Sequence, residues 1–192
     1  MRLFVALFIS AAVRQELAMV LRGMRSISPE ARDASPRWVP PGSLHVTLKF
    51  IGEAAPEKLA GIAQGLAAVR FPAPLALTFR GMGFFPDEKR PAVLWAGIQA
   101  SSALAELAAQ IESSLEEMGF PREPRAFAPH LTLARFKGPD LRENLRAAIR
   151  QNAERDFGSC ATQEFHLVES KLKSAGAEYT TVQSFRFTTA EG

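Results

Sequence analysis

His45-Val46-Thr47-Leu48 and His130-Leu131-Thr132-Leu133 are two copies of one pattern. On a β-strand, residues i and i+2 share a face. His45 and Thr47 therefore point one way, and Val46 and Leu48 point the other way into a core. The same parity sets His130 beside Thr132 and buries Leu131 and Leu133. The chain holds 3 histidines, and two of them stand in this pattern. Each copy is followed by a glycine and then by a helical pattern. The expectation is that the two strands face each other and form one site.

The surroundings of the two copies repeat as well. Leu3 to Ile9 reads as a central strand, continuous and apolar. Ser10 is a candidate N-cap, and Val13, Leu17, Val20 and Met24 then step at helical spacing. A loop rich in proline and serine, 26–43, surrounds Trp38. The first His strand runs from Leu44 to Ile51 and is closed by Gly52. Leu59, Ile62, Leu66 and Val69 mark a helix starting near Pro56, and Leu75 to Phe79 is a short strand. Residues 81–90 read as a turn or loop, with Phe84, Phe85, Lys89 and Arg90 available to grip RNA if exposed. From Val93 the order begins again. A strand to Ile98 is followed by Ser101 as a cap, and Leu104, Leu107, Ile111 and Leu115 make a helix that Gly119 ends. The second His strand runs from His130 to Phe136, before Gly138 and Pro139. Leu141, Leu145 and Ile149 give a further helix. Glu164 to Leu172 and Tyr179 to Phe187 close the chain, joined through Gly176. The two halves, about 1–90 and 91–192, match element for element, which is the mark of an internal duplication. Residues 1–192 then make one bilobal domain, with the two His strands meeting across a cleft.

The composition fits that reading. The 192 residues are 47% hydrophobic and 22% charged, enough to bury a core and unlike a disordered chain. A net charge of +3 permits a phosphate-rich partner without requiring one. The single cysteine, Cys160, excludes an intrachain disulfide and fits a reducing, cytoplasmic setting. No apolar run reaches the length of a membrane span. Residues 1–13 resemble a short signal peptide, but a strand running into an amphipathic helix is the preferred reading.

Two histidines on opposite walls suit general acid–base catalysis. An imidazole pKa near 6.5 allows one ring to be protonated while the other is neutral. One ring donates a proton to a leaving oxygen, and the other takes a proton from an attacking water. Thr47 and Thr132 can donate to a shared anion, and a nearby arginine would stabilise charge developing on its oxygens. The implied chemistry is phosphodiester cleavage without a metal or other cofactor. Neither motif contains Asp or Glu, and no metal-ligand spacing occurs.

Two H-x-T-L motifs on strands of duplicated lobes resemble the two-histidine (2H) phosphoesterases. Within that group the chain is most similar to the RNA 2′,3′-cyclic phosphodiesterases, also called 2′-5′ RNA ligases. The similarity runs from Arg2-Leu3-Phe4-Val5-Ala6 through Trp38-Val39-Pro40, Leu44 to Gly52 and Val93-Leu94-Trp95-Ala96-Gly97. It continues in Phe127, in Pro129 to Arg135, in Leu167-Val168-Glu169-Ser170 and at Tyr179. The resemblance implies an α+β fold of two pseudo-symmetric lobes around a central cleft, each a mainly antiparallel sheet backed by helices. It implies opening of an RNA 2′,3′-cyclic phosphate to a 2′-phosphomonoester, and reversible joining of 2′-5′ RNA ends. His45 would be the proton donor and His130 the proton acceptor, with Thr47, Thr132 and Arg135 on the phosphate and Phe50 available to stack on a base. The residues alone leave the acid and base assignment open, because the motifs are nearly symmetric. They also leave open a small cyclic nucleotide or a 2′-5′ oligonucleotide as substrate, and a non-catalytic RNA-end-binding module. The duplication supplies both half-sites in one chain, so a monomer suffices and no protein partner is required.

Arg135 and Phe50 each lie five residues after a motif histidine, where strict alternation turns them away from the cleft. A bulge late in each His strand is needed to re-aim them. His166 lacks a threonine two residues on and reads as a satisfied structural histidine.

Overall fold

The N-terminal apolar run forms β1 (Arg2–Phe8), in which five consecutive residues, Leu3 to Leu7, are buried. Leu3, Val5 and Leu7 enter the main core, while Phe4 and Ala6 join Val168 on the opposite face. Burying each large apolar side chain contributes about 1.5–3 kcal/mol, so a strand buried on both faces belongs in the sheet interior. The computed structural model describes residues 1–28, 36–100, 102–138, 141–173 and 176–188. In chain order the remaining elements are α1 (Ala11–Ile27), β2 (Arg37–Trp38), β3 (His45–Glu53), α2 (Leu59–Ala68), β4 (Leu75–Phe85) and β5 (Val93–Gln99). They continue with α3 (Ser102–Glu116), β6 (His130–Arg135), α4 (Glu143–Gln151), β7 (Asp156–Thr162), β8 (Glu164–Lys173) and β9 (Gly176–Arg186).

The strands form one sheet in the order β7-β4-β5-β6-β3-β1-β8-β9, with β2 added alongside β6. All of these pairings are antiparallel. The sheet has a seam at its centre. β3 and β6 are in register only at Val46 and Leu131. Beyond that point β2 takes over as the neighbour of β6, with Arg37 opposite Arg135 and Trp38 opposite Ala134. Two lobes result, β7-β4-β5-β6 and β3-β1-β8-β9. Helices α1 and α4 pack together against β7 and β4, while α2 and α3 pack together against β9 and β3. The fold is α+β, an antiparallel sheet backed by helices. Each lobe draws strands from both halves of the chain, and the 90/91 boundary falls within the β4–β5 pair.

Local signals act as the residue types dictate. Ser10 caps α1, its Oγ accepting from the Val13 N–H at 3.3 Å, and Val13, Leu17, Val20 and Met24 are buried. Gly119 takes a φ of 84° after α3, and Phe120 N–H donates to the Leu115 carbonyl at 3.0 Å. Ser101 and Pro139 lie outside the described residues.

Three expectations need correction. Residues 81–85 are not a turn, because β4 continues through them to Phe85. Gly81 (φ 75°) sits at a register shift where a Cβ would lie 2.4 Å from the Ala153 carbonyl oxygen. At Gly83 a Cβ would meet the Trp95 ring at 2.3 Å. Both glycines mark close approach within a strand. The loop read over 26–43 contains β2, too short to show a pattern. The sequence reading also missed β7, an edge strand whose one buried side chain is Phe157.

Candidate active site

The two His strands share a burial pattern. In each, the histidine and threonine are half-buried and the next residue after each is buried. A fifth residue, Lys49 in β3 and Ala134 in β6, is then buried as well, and the sixth, Phe50 or Arg135, is exposed. Two consecutive inward residues are what a bulge produces. The register shows one at this point in each strand. Lys49 pairs with Val5 and Thr47 with Ala6, skipping Leu48, and Ala134 pairs with Leu94 and Thr132 with Trp95, skipping Leu133. Both bulges turn the following side chain back to the face that carries the histidines. Phe50 and Arg135 accordingly line the same cleft as His45, Thr47 and Thr132.

The Val46–Leu131 pair sets the layout across the seam. In antiparallel register it places His45 across from Thr132 and Thr47 across from His130. This register sets the histidines on one diagonal of the group and the threonines on the other. His130 faces this side by strand parity and is half-buried.

Each ring is held the same way. His45 Nδ1 lies 2.8 Å from the Ser43 carbonyl oxygen, and His130 Nδ1 lies 2.8 Å from the Ala128 carbonyl oxygen. A carbonyl only accepts, so both Nδ1 atoms carry the hydrogen and donate it. Each Nε2 is left to exchange a proton with a ligand. Both partners are two residues upstream, in loops that the strand-based reading did not connect to the site.

The environments of the rings differ. His45 packs 4.8 Å from the Phe4 ring and meets Tyr179 edge-on at 5.1 Å. The edge of Phe85 meets His130 at 5.0 Å. His45 holds its proton less firmly than a free imidazole. Burial is the largest cause, the Ser43 hydrogen bond opposes it, and the positive charge of Arg135 adds to it. In an NMR titration of the free protein, the His45 ring is expected to titrate below about 6.5. Arg135→Gln is expected to move that midpoint upward, and a shift downward would count against the electrostatic link.

The cleft has a volume of about 1010 Å³. Arg2, Arg37, Arg135 and Lys173 line it, and Lys173 is paired with Glu178 at its rim. The positive charge is thus local, although the whole chain carries only +3. Arg2, Arg37 and Tyr179 are cleft residues that sequence reasoning did not assign to the site. The third histidine, His166, lies apart from the cleft. It is buried, hydrogen-bonds through Nδ1 with Ser184 Oγ at 2.9 Å and stacks on Phe8 at 4.1 Å. Cys160 is a free thiol. Among the described residues, no group of three or more His, Cys, Asp or Glu is placed to hold a metal ion.

A bulged His-x-Thr strand from each lobe, meeting at one cleft, defines a two-histidine phosphoesterase fold. Residues 13–173 match the model of the 2′-5′ RNA ligase superfamily, and the chain belongs to that family. It is 33% identical to the RNA 2′,3′-cyclic phosphodiesterase of Archaeoglobus fulgidus, over 96% of this chain and 99% of the relative. It is 35% identical to the enzyme of the same name from Thermus thermophilus, over 96% and 89%. Among solved structures, a Thermus thermophilus protein aligns over all of both chains with a TM-score of 0.78 and 32% identity. The Escherichia coli LigT structure complexed with 3′-AMP aligns over 98% of both chains with a TM-score of 0.72 and 25% identity.

Proposed function

We propose that this chain is a phosphoric diester hydrolase that opens RNA 2′,3′-cyclic phosphate ends to 2′-phosphomonoesters by two-histidine acid–base catalysis. The observation that carries this reading is the matched pair of Nδ1 hydrogen bonds. They orient both imidazoles with Nε2 available, which supports a role for both rings in proton transfer. The relatives' shared name supplies the substrate class.

In the proposed reaction, the cyclic phosphate sits between Thr47 and Thr132, with Arg135 on its oxygens. His130 takes a proton from water as the water oxygen bonds to phosphorus. The bond to the 3′ oxygen breaks, and His45 gives that oxygen its proton. The 2′-phosphomonoester and a 3′-hydroxyl result. A depressed pKa makes protonated His45 a stronger acid, and the bound diester's negative charge offsets the repulsion from Arg135. Run backwards with an RNA hydroxyl in place of water, the same steps join 2′-5′ ends. The resemblance, not the geometry, supports the choice of His45 as donor. One chain supplies both half-sites, so we propose an active monomer. No helix among the described residues is long and apolar enough to cross a membrane. The single cysteine, Cys160, supports a reducing, cytoplasmic setting.

The test is incubation with RNA ending in a 2′,3′-cyclic phosphate, with EDTA present. Formation of the 2′-phosphate is expected. Turnover that returns only on adding metal would refute the mechanism, and binding without turnover would favour a non-catalytic module.

Phe50 is 55% exposed within the cleft. Phe50→Ala should therefore change stability by less than about 0.5 kcal/mol. If the ring stacks on a base, KM should rise roughly 5- to 100-fold, since such stacking is worth about 1–3 kcal/mol. An unchanged KM would make it a packing residue beside Phe4.

A further inference from the structure

We propose that Arg37 binds the phosphodiester one nucleotide upstream of the terminal cyclic phosphate, so that the cleft favours an RNA end over a free cyclic nucleotide. This rests on the function proposed above. The evidence begins with register. β2 sets Arg37 directly opposite Arg135, and such positions have Cβ atoms about 4.5–5.5 Å apart. Like charges in that relation destabilise a sheet. Both arginines line the cleft, and among the described residues neither guanidinium has an ion-pair or hydrogen-bond partner. Two adjacent guanidinium groups without a carboxylate form a place for anions. Their planar forks suit phosphate oxygens.

The strand that carries Arg37 is firmly held. Trp38 is buried. Val39 N–H donates to the Leu133 carbonyl at 2.9 Å. From the end of α1, Arg25 places its guanidinium 5.9 Å from the Trp38 ring centre and donates from Nη2 to the Val39 carbonyl at 3.2 Å. The rigid segment therefore starts immediately beside Arg37, which favours a preorganised contact.

The two arginines have different tasks. The charge of Arg135 is felt at His45, so Arg135 belongs with the reacting phosphate. Arg37 stands in β2, which takes the place beside β6 that β3 leaves, and its register partner is Arg135 rather than a histidine or threonine of the motifs. A phosphate held there has no proton to exchange and contributes binding only. Arg2 also lines the cleft, but its cross-strand neighbour is an acidic residue, Glu53, which pairs with the N-terminal ammonium at 3.7 Å. Arg37 has a second cation in that place.

Three substrates separate the possibilities: a nucleoside 2′,3′-cyclic phosphate, a dinucleotide ending in a 2′,3′-cyclic phosphate, and that dinucleotide with an uncharged methylphosphonate linkage. Arg37→Gln is expected to lower kcat/KM on the charged dinucleotide roughly 10- to 100-fold, the range for a lost hydrogen bond to a charged group. The loss should appear mainly in KM, as for an interaction equal in ground and transition states. Activity on the cyclic mononucleotide and on the methylphosphonate should be unchanged, and Arg37→Lys should recover part of the loss. Equal loss on all three substrates, no loss on any, or an oligonucleotide-specific loss in Arg2→Gln instead would overturn the proposal. If the wild-type protein leaves all three intact, the parent function fails first, and that result is distinct from the others.

Discussion

His130→Ala is expected to lower turnover of a cyclic-phosphate RNA end by about 100- to 10,000-fold, the usual range for one general acid or base. His45→Ala should fall in the same range. KM should change little, because the phosphate contacts proposed for Thr47, Thr132 and Arg135 are left in place. The double variant should lose less than the product of the two single losses, since groups that act as a unit are not additive. The folded state gives this prediction a clean readout. Both rings are only half-buried, and neither belongs to the apolar core. The variants should therefore unfold at nearly the wild-type denaturant concentration. The pH profile supplies the control that a structural role would not move. Wild-type kcat/KM should show two limbs, and each variant should lose one of them. Full turnover in either single variant would remove two-histidine catalysis from consideration.

That each histidine shares a face with its threonine was legible in the sequence because strand parity is exact over two or three residues. His45 with Thr47, and His130 with Thr132, needed only a period of two. The parity fails at Phe50 and Arg135, because a bulge inserts one residue and reverses everything after it. Its signal is weak: Leu48-Lys49 and Leu133-Ala134 differ in character, and a lysine on the buried side looks like a solvated residue. β2 and β7 were hidden for another reason. A two-residue strand has no period, and an edge strand with one buried side chain lacks the alternation that a half-covered strand shows. The glycines of β4 read as turn signals because close approach to Trp95 and Ala153 depends on tertiary structure. The Nδ1 acceptors, being backbone carbonyls, have no residue type to recognise.

The topology bears on the duplication. Exchanging β1 with β5, β3 with β6 and β4 with β8 leaves the neighbour relations around the seam unchanged. The same exchange relates α1 to α3, each packed on the lobe opposite its own preceding strand. We read this as two copies of one unit that have traded their outer strands and first helices, with 1–192 forming a single body. On that reading the seam at Val46 and Leu131 is the axis. The two sides then differ at Phe50 against Arg135 and at Lys49 against Ala134.

Glu112→Ala is expected to destabilise the protein by about 3–5 kcal/mol, the cost of leaving a buried charge unpaired. Lys49 is the reason. The bulge in β3 turns its side chain into the interior, where it is 2% exposed. Its Nζ donates to Glu112 Oε2 at 2.7 Å and to the Pro121 carbonyl at 2.8 Å. One contact ties the bulge to α3, and the other ties it to the loop that follows α3. At the matching place in β6, Ala134 needs no partner. Lys49→Met should cost much less than Glu112→Ala, because Glu112 is 17% exposed and water can solvate the released carboxylate. The Lys49→Met and Glu112→Gln double variant should lie closer to wild type than Glu112→Ala alone, since it removes both charges together. Urea unfolding gives these differences. A Glu112→Ala protein within about 0.5 kcal/mol of wild type, the size of an ordinary surface change, would show that the pair does not hold the bulge. The functional consequence follows from position. Lys49 immediately precedes Phe50, so releasing it frees the residue that the bulge aims into the cleft. In the folded Lys49→Met variant, KM should therefore rise while kcat stays near wild type, because His45 and Thr47 lie before the bulge and keep their register.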